Sequence, residues 1–370
     1  MMKNKASVIV LLAALSFHAH SVRCEAPDAC ASLSHLQAAL GDRFRVHNTQ
    51  HFSILYDSPY ETLRPLTARL EGIYDAIDRF CATLDFPIKP FSTRFTILVF
   101  SRYEDFLAFA QKAGLGEGVA GFYNPKDNVA AFVDVMDSPS LRPLHGELTR
   151  LDSMLAERNG PFAVRRQRDE VVNRVMTLRA QRDALVESFN RLVLQHEAAH
   201  QVLFNRSVHM RGAKTPLWLA KGLACQFEIP QPDAHGALKR VNQMRLGDFR
   251  EALGAQRNGD GARTLWQQAV EAGKMMALPD LIGADQFEGD GLTLAARYAQ
   301  SWALVHYLHR EHSRGFEKYL ARLAARQTGH EISIQEELAD FAAAFGPADT
   351  GVANAWVTYI LRLRYDGTDR

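Results

Sequence analysis

Leu192-Val193-Leu194-Gln195-His196-Glu197-Ala198-Ala199-His200-Gln201-Val202-Leu203-Phe204-Asn205 contains no proline or glycine and sets a His-Glu-Ala-Ala-His core between apolar flanks. The composition predicts a helix. On a helix, residues four apart share a face, so the His196 and His200 imidazoles can reach one ion. Glu197 stands beside them, where a carboxylate can take a proton from metal-bound water. That is the logic of a zinc peptidase: zinc acidifies the water and polarises the carbonyl, and the glutamate acts as base. At this composition chance supplies about 0.03 such matches per chain, so the pattern outweighs the alternative of an ordinary helix with two histidines.

Outward from that helix the chain reads as α+β. His51 to Tyr56 (HFSILY) and Phe95 to Phe100 (FTILVF) are apolar and β-rich, hence strands. Helices are expected from Tyr60 to about Leu84 and from Tyr103 to Lys112. Phe122-Tyr123, the turn residues Asn124 to Asn128, and Val129 to Val135 predict a hairpin. Leu141 to Ala156 and Ala163 to about Asn205 carry apolar residues at helical spacing, parted by Asn159-Gly160-Pro161. They predict a helical hairpin whose second arm runs into the His-Glu helix. Its charged run, Arg165 to Glu170, is read as a solvated face. Downstream the pattern is mostly helical, clearest over Ala295 to His312, Ile334 to Phe345 and Val352 to Arg364. Asn258 to Gly261 and Gly289 to Gly291 are expected loops.

Gln195 to Asn205, followed by Pro216-Leu217-Trp218-Leu219-Ala220-Lys221-Gly222-Leu223-Ala224, resembles the peptidase MA-like gluzincins. The likeness is closest to a bacterial domain of unknown function, number 1570, in that group. HFSILYD at His51, GFYNPKDN at Gly121 and YAQSWALVHYL at Tyr298 extend it over most of the chain, the arm from Leu141 to about Arg182 excepted. The resemblance implies a zincin-like fold and an aminopeptidase-N-like site. In such a site, a Trp-Leu-x-Glu-Gly-x-Ala helix supplies the third zinc ligand. It also implies that Tyr298 steadies the oxyanion of a tetrahedral intermediate, a role a phenol can fill; a buried core tyrosine is the other reading.

Lys221 stands where that resemblance expects the ligand glutamate. Catalytic zinc takes three protein ligands plus water, and an inward ammonium repels a cation. Three outcomes stay open. Lys221 replaces the metal as the positive partner of Glu197; or His209, Cys225 or Glu228 completes the site; or Lys221 coordinates as a neutral amine, which needs a depressed pKa. His306, His309 and His312 suggest a second metal site, but the spacing reads better as a polar helix face opposite Leu304 and Leu308. Val129 to Val135 is either a strand that pairs with an extended substrate or an ordinary edge strand.

Composition narrows the rest. With 43 basic against 42 acidic residues the net charge is +1, which gives no footprint for nucleic acid. Lys3 and Lys5, then apolar Ser7 to Phe17, then Ala19-His20-Ser21, predict a signal peptide over 1–21 and an exported, periplasmic or secreted protein. The apolar run is too short for a membrane span, and Arg23 before Cys24 argues against a lipoprotein. An oxidising compartment permits a bridge of Cys24 with Cys30 or Cys30 with Cys81, with Cys225 free. The expected organisation is an α+β part over 22–140, the helical hairpin insertion over 141–190, and the metal-type helix with a helical remainder over 191–370. Two functions follow: a zinc metallopeptidase with Glu197, Tyr298, His196 and His200 in the site, or a non-catalytic pseudopeptidase that binds a peptide or protein. A structural envelope protein using the hairpin arm is a third, weaker reading.

Overall fold

Three apolar strands make the centre of a five-stranded sheet. The computed structural model describes residues 33–84, 93–139, 141–156, 165–208, 215–230, 237–255, 261–326 and 332–365. The expected signal segment, Cys24, Cys30, the Asn159-Gly160-Pro161 breaker, His209 and Asn258 lie outside them. After helix α1 (Leu33–Leu40) come strands β1 (Arg45–Asn48) and β2 (Phe52–Tyr56), helix α2 (Tyr60–Cys81), strand β3 (Phe95–Phe100), helix α3 (Tyr103–Lys112), and strands β4 (Gly121–Asn124) and β5 (Val129–Val133). The sheet order is β1-β2-β3-β5-β4. Strands β2, β3 and β5 run parallel, while β1 and β4 pair antiparallel at the edges. A parallel centre is covered on both faces, which is why β2 and β5 are buried throughout and carry continuous apolar runs rather than alternation.

This order corrects one expectation. Val129 to Val135 is neither an edge strand nor open to a substrate: β5 ends at Val133 and lies between β3 and β4. The edge belongs to β4. Sequence placed the hairpin but not which of its strands faces outward, because that depends on where β3 docks.

The hairpin arm forms as expected. Helices α4 (Arg142–Ala156) and α5 (Arg165–Phe189) lie against each other through a small cluster of their own, Leu148, Leu151, Val175 and Leu178. The helical run then continues through a π-helical turn, Asn190–Gln195, into α6 (His196–Asn205), the His-Glu helix. Next come α7 (Leu217–Gln226), α8 (Gln243–Leu253), α9 (Ala262–Glu271), α10 (Leu278–Ile282), α11 (Gly291–Glu311), α12 (Ser313–Ala324), α13 (Ile334–Phe345) and α14 (Thr350–Arg362). Asp290 caps α11, its carboxylate accepting from the Thr293 N–H at 2.8 Å, and Ser333 with Glu336 forms a capping box on α13.

Helix α11 is buried on nearly every side from Leu294 to Leu308, and α7 packs closely along it. Gly222 permits the approach, since a Cβ there would overlap the Ser301 carbonyl oxygen and lie 2.5 Å from Val305 Cγ2. Gly222→Ala is therefore expected to destabilise the protein by about 1–3 kcal/mol through overpacking, read as a lower urea midpoint. An unchanged midpoint would mean that the two helices separate freely.

Burial of α11 also corrects the polar-face reading for His306, whereas His309 is half-buried and His312 is exposed. His306 is in the core, its ring stacked on Trp302 at 5.4 Å and tilted against Tyr359 at 6.0 Å. Burial pushes its pKa down to about 4. His309 meets Phe80 and Phe316. Among the described residues these histidines form no metal-binding group. Cys81 and Cys225 are buried free thiols.

Candidate functional site

Helix α6 is fixed at both ends by amide side chains. At its start, Gln195 Oε1 accepts from Arg69 Nη1 at 2.6 Å, and Gln195 Nε2 donates to the carbonyls of Phe227 (2.6 Å) and Ile229 (3.0 Å). Gln201 Nε2 donates to the carbonyls of Thr96 on β3 and Asn128 in the β4–β5 turn. At the far end Asn205 and Asn128 exchange side-chain amide bonds of 2.7 and 3.0 Å. Asn128 adopts φ +55°, a left-handed conformation that asparagine tolerates. The helix thus has one register against the sheet, and β4 is held beside it.

The histidines meet as their spacing predicts. His196 Nε2 and His200 Nε2 are 3.1 Å apart, with ring centroids 4.7 Å apart. The other nitrogen of His196, Nδ1, lies 2.8 Å from Glu228 Oε1. Burial by itself would raise the Glu228 pKa. The Arg245 charge and the hydrogen bonds from His196 and Arg245 prevail and hold it at about 2, so Glu228 is a carboxylate that only accepts. His196 Nδ1 therefore carries the proton and its Nε2 bears the lone pair. Burial moves the His196 pKa down to about 4, so the ring is neutral.

Lys221 projects from α7 into this group. Its Nζ lies 3.3 Å from His200 Nε2 and 5.4 Å from the centre of the Tyr298 ring. Tyr298, from α11, lies 5.6 Å from His196 ring to ring. Burial pushes the Tyr298 hydroxyl pKa well up, so it stays a phenol able to donate. Glu197 Oε2 accepts the Tyr123 backbone N–H of β4 at 3.0 Å, and burial raises its pKa to about 7 against the opposing pull of Lys221. Burial lowers the Lys221 pKa, with the Glu197 charge working the other way. Lys221 and Glu197 thus face each other as groups of opposite charge, each held back from ionising by burial. All five residues are buried, His200 being the most exposed at 6%.

Glu228, weighed above as a third ligand, stands elsewhere. Helix α7 ends at Gln226, and the chain beyond it turns Glu228 behind His196. Arg245 Nε and Nη2 bond both Glu228 oxygens at 2.7 and 2.8 Å, and Asn242 adds a longer contact to Oε2. Cys225 Sγ is 4.0 Å from His196 Nδ1, and burial pushes its thiol pKa well up. Among the described residues, His196, Cys225 and Glu228 are the one His/Cys/Asp/Glu group close enough to share an ion. Chemistry argues against it: Nδ1 is protonated, the thiol keeps its proton, and a guanidinium occupies both carboxylate oxygens. Arg245 was missed at the sequence level, where nothing marks it as a buried cation in α8.

The fit to zinc is partial. Two imidazole nitrogens on a tetrahedral zinc stand about 3.3 Å apart, given bonds of about 2.0–2.1 Å, and 3.1 Å is near that. The orienting carboxylate on Nδ1 is also what a zinc histidine needs. The charge does not fit. The Glu228 carboxylate is already taken up by Arg245, and the Lys221 amine stands beside His200 where a third ligand would be needed. A divalent ion would add two uncompensated charges in a dry site, which is expensive. Lys221→Glu would replace a cation with an anion and so lower the charge of the site by two, offsetting the ion.

Residues 192–328 match the sequence model of a family described as "Protein of unknown function (DUF1570)". No curated protein and no solved structure matches the chain.

Proposed function

We propose that this is an exported zincin-like protein that holds a peptide or protein segment at a former hydrolytic centre, with Lys221 in the electrostatic place of zinc. The observation that carries the reading is Lys221 Nζ at 3.3 Å from His200 Nε2, inside a buried group that also holds Glu197. A group of His196, His200, Glu197 and Tyr298, the residues the gluzincin resemblance implies, but with no anionic third ligand, is poorly equipped to hold a catalytic ion. Support for a peptide-type ligand comes from the place of β4 at the sheet edge beside the site; its Tyr123 N–H is taken up by Glu197, so a ligand strand would displace that bond. Edge strands accept extended segments by main-chain pairing. Export rests on the N-terminal charge-then-apolar pattern. No helix among the described residues is long and apolar enough to cross a membrane.

A second reading is a working zinc peptidase in which Lys221 coordinates as a neutral amine. It is favoured by the two Nε2 atoms 3.1 Å apart and by the downward pressure of burial on the Lys221 pKa. One experiment separates them: metal analysis of the mature protein purified with zinc present, alongside cleavage and binding assays on a mixed peptide library. The binding-protein reading expects captured peptides, no cleavage and well under one zinc per chain. Stoichiometric zinc that disappears in His200→Ala, together with cleaved peptides, would replace it with the second.

A further inference from the structure

Among the described residues the large apolar side chains left in water are Tyr60, Val172, Met176, Leu292 and Ile334. Val172 and Met176 stand one helical turn apart on α5, at 39% and 65% exposure. They are not on the face that α5 turns to α4, where Val175 and Leu178 are buried against Leu148 and Leu151. They belong to an outer stripe of Asp169, Val172, Met176, Arg179 and Asp183, all exposed. Its steps of three and four residues alternate, which is the spacing of a coiled-coil seam.

We infer that this stripe pairs with the same stripe of a second copy of the chain, antiparallel about a twofold axis at Arg174. In that register Val172 meets Met176 of the second copy and Asp169 meets its Arg179, and the symmetry makes each pair twice. A parallel pair would instead set Asp169 on Asp169 and Arg179 on Arg179, and like charges repel. Charge complementarity therefore selects both the partner and its orientation. Arg179 has donors for a second carboxylate: Asp152 of its own chain engages Nη2, at 3.0 and 3.1 Å, and the guanidinium carries N–H groups on Nη1 and Nε as well. Asp183, held by Arg182 of its own chain at 2.8 Å, faces the arginine-rich start of the second copy's helix. Exposed ion pairs contribute little each, so the apolar centre drives association and the charges fix the register. One helix on one helix is a small interface, of the weak and transient class, so the dimer is micromolar or weaker.

The test is sedimentation equilibrium of the mature protein from low to high micromolar concentration, where the wild type is expected to pass from monomer to dimer. Met176→Glu, at the centre of the seam, should weaken the dimer by about tenfold or more. Asp169→Arg and Arg179→Glu should each weaken it as well, because each sets like charges opposite one another. A mixture of those two variants should associate more tightly than either alone, since each supplies the charge the other lacks. That rescue is specific to the antiparallel register, and general damage to the arm would not produce it. Arg179→Glu also loses its bond to Asp152; if its urea midpoint falls, Met176→Glu and Asp169→Arg decide the matter by themselves. A wild type that stays monomeric throughout, or a dimer that Met176→Glu and Asp169→Arg leave unchanged, would overturn the proposal.

Discussion

Lys221→Glu is expected to turn a chain that holds well under one zinc into one that holds about one per chain, by completing the two-histidine, one-glutamate set of zinc peptidases. The histidine nitrogens already stand near zinc-ligand spacing, and Lys221 already points at His200. The substitution exchanges a buried cation for a buried anion. Without metal the variant has three buried carboxylates against Arg245 alone and should be less stable than wild type. Zinc should then restore it, adding about 2.7 kcal/mol at a hundredfold excess over the dissociation constant. Helix α7 should tolerate the change, because Lys and Glu have similar helix propensity. The measurement is Tm with and without zinc, with metal content after gel filtration and His200→Ala in the variant background as control. A zinc-dependent rise in Tm for the wild type, or none for the variant, would sink the charge argument. Peptide cleavage by the variant is a separate matter, since the buried site and a changed cleft both stand between zinc and turnover.

Arg245→Ala should be the most destabilising single change near the site. Glu228 and Arg245 are both fully buried and doubly hydrogen-bonded, and removal of one partner leaves an uncompensated charge at a cost of about 3–5 kcal/mol. The pH dependence follows from the depressed pKa. In the folded wild type Glu228 sits at about 2 against an ordinary value of 4.5. Its contribution to stability is complete above 4.5 and is lost as pH falls from there toward 2. In Arg245→Ala burial acts on Glu228 with its main counterweight gone, so its pKa rises and the carboxyl protonates readily. The deficit of the variant in urea unfolding should be greatest above pH 5 and shrink on acidification. The paired change Glu228→Leu with Arg245→Met removes both charges and should recover much of the loss. A deficit that does not vary between pH 7 and pH 4 would show that the arginine acts through packing rather than charge.

His196 Nδ1 gains its orientation from the same pair, so the site depends on a group that no local pattern reveals. The Arg245–Glu228 contact spans 17 residues, and Glu228 reaches His196 across 32. In the sequence Arg245 is one charged residue in an otherwise ordinary helix. The Asn128–Asn205 exchange, 77 residues apart, and the Tyr123 N–H on Glu197, 74 apart, were equally silent. The π-helical turn before His196 was also not legible. It lies within an apolar run that reads as plain α-helix, and it coincides with the buried packing of Arg191 to Gln195.

What the sequence determined by itself is what repeats within a few residues. Spacing of four put both imidazoles on one face. Apolar steps of three and four drew the hairpin arm of α4 and α5, and β-rich runs marked β2 and β3. A resemblance over short motifs brought Lys221 and Tyr298 to the same site, where their side chains do stand together. Tertiary structure decided the remainder: that β4 and not β5 is the edge, that His306 is core rather than polar surface, that Glu228 stands behind the histidines, and that the Phe287 ring meets Tyr298 edge to face. Periodicity is written into each element because a helix or strand must bury its own apolar face. Which strand ends at an edge, and which charge is buried with a partner, is settled only when distant elements compete for the same core.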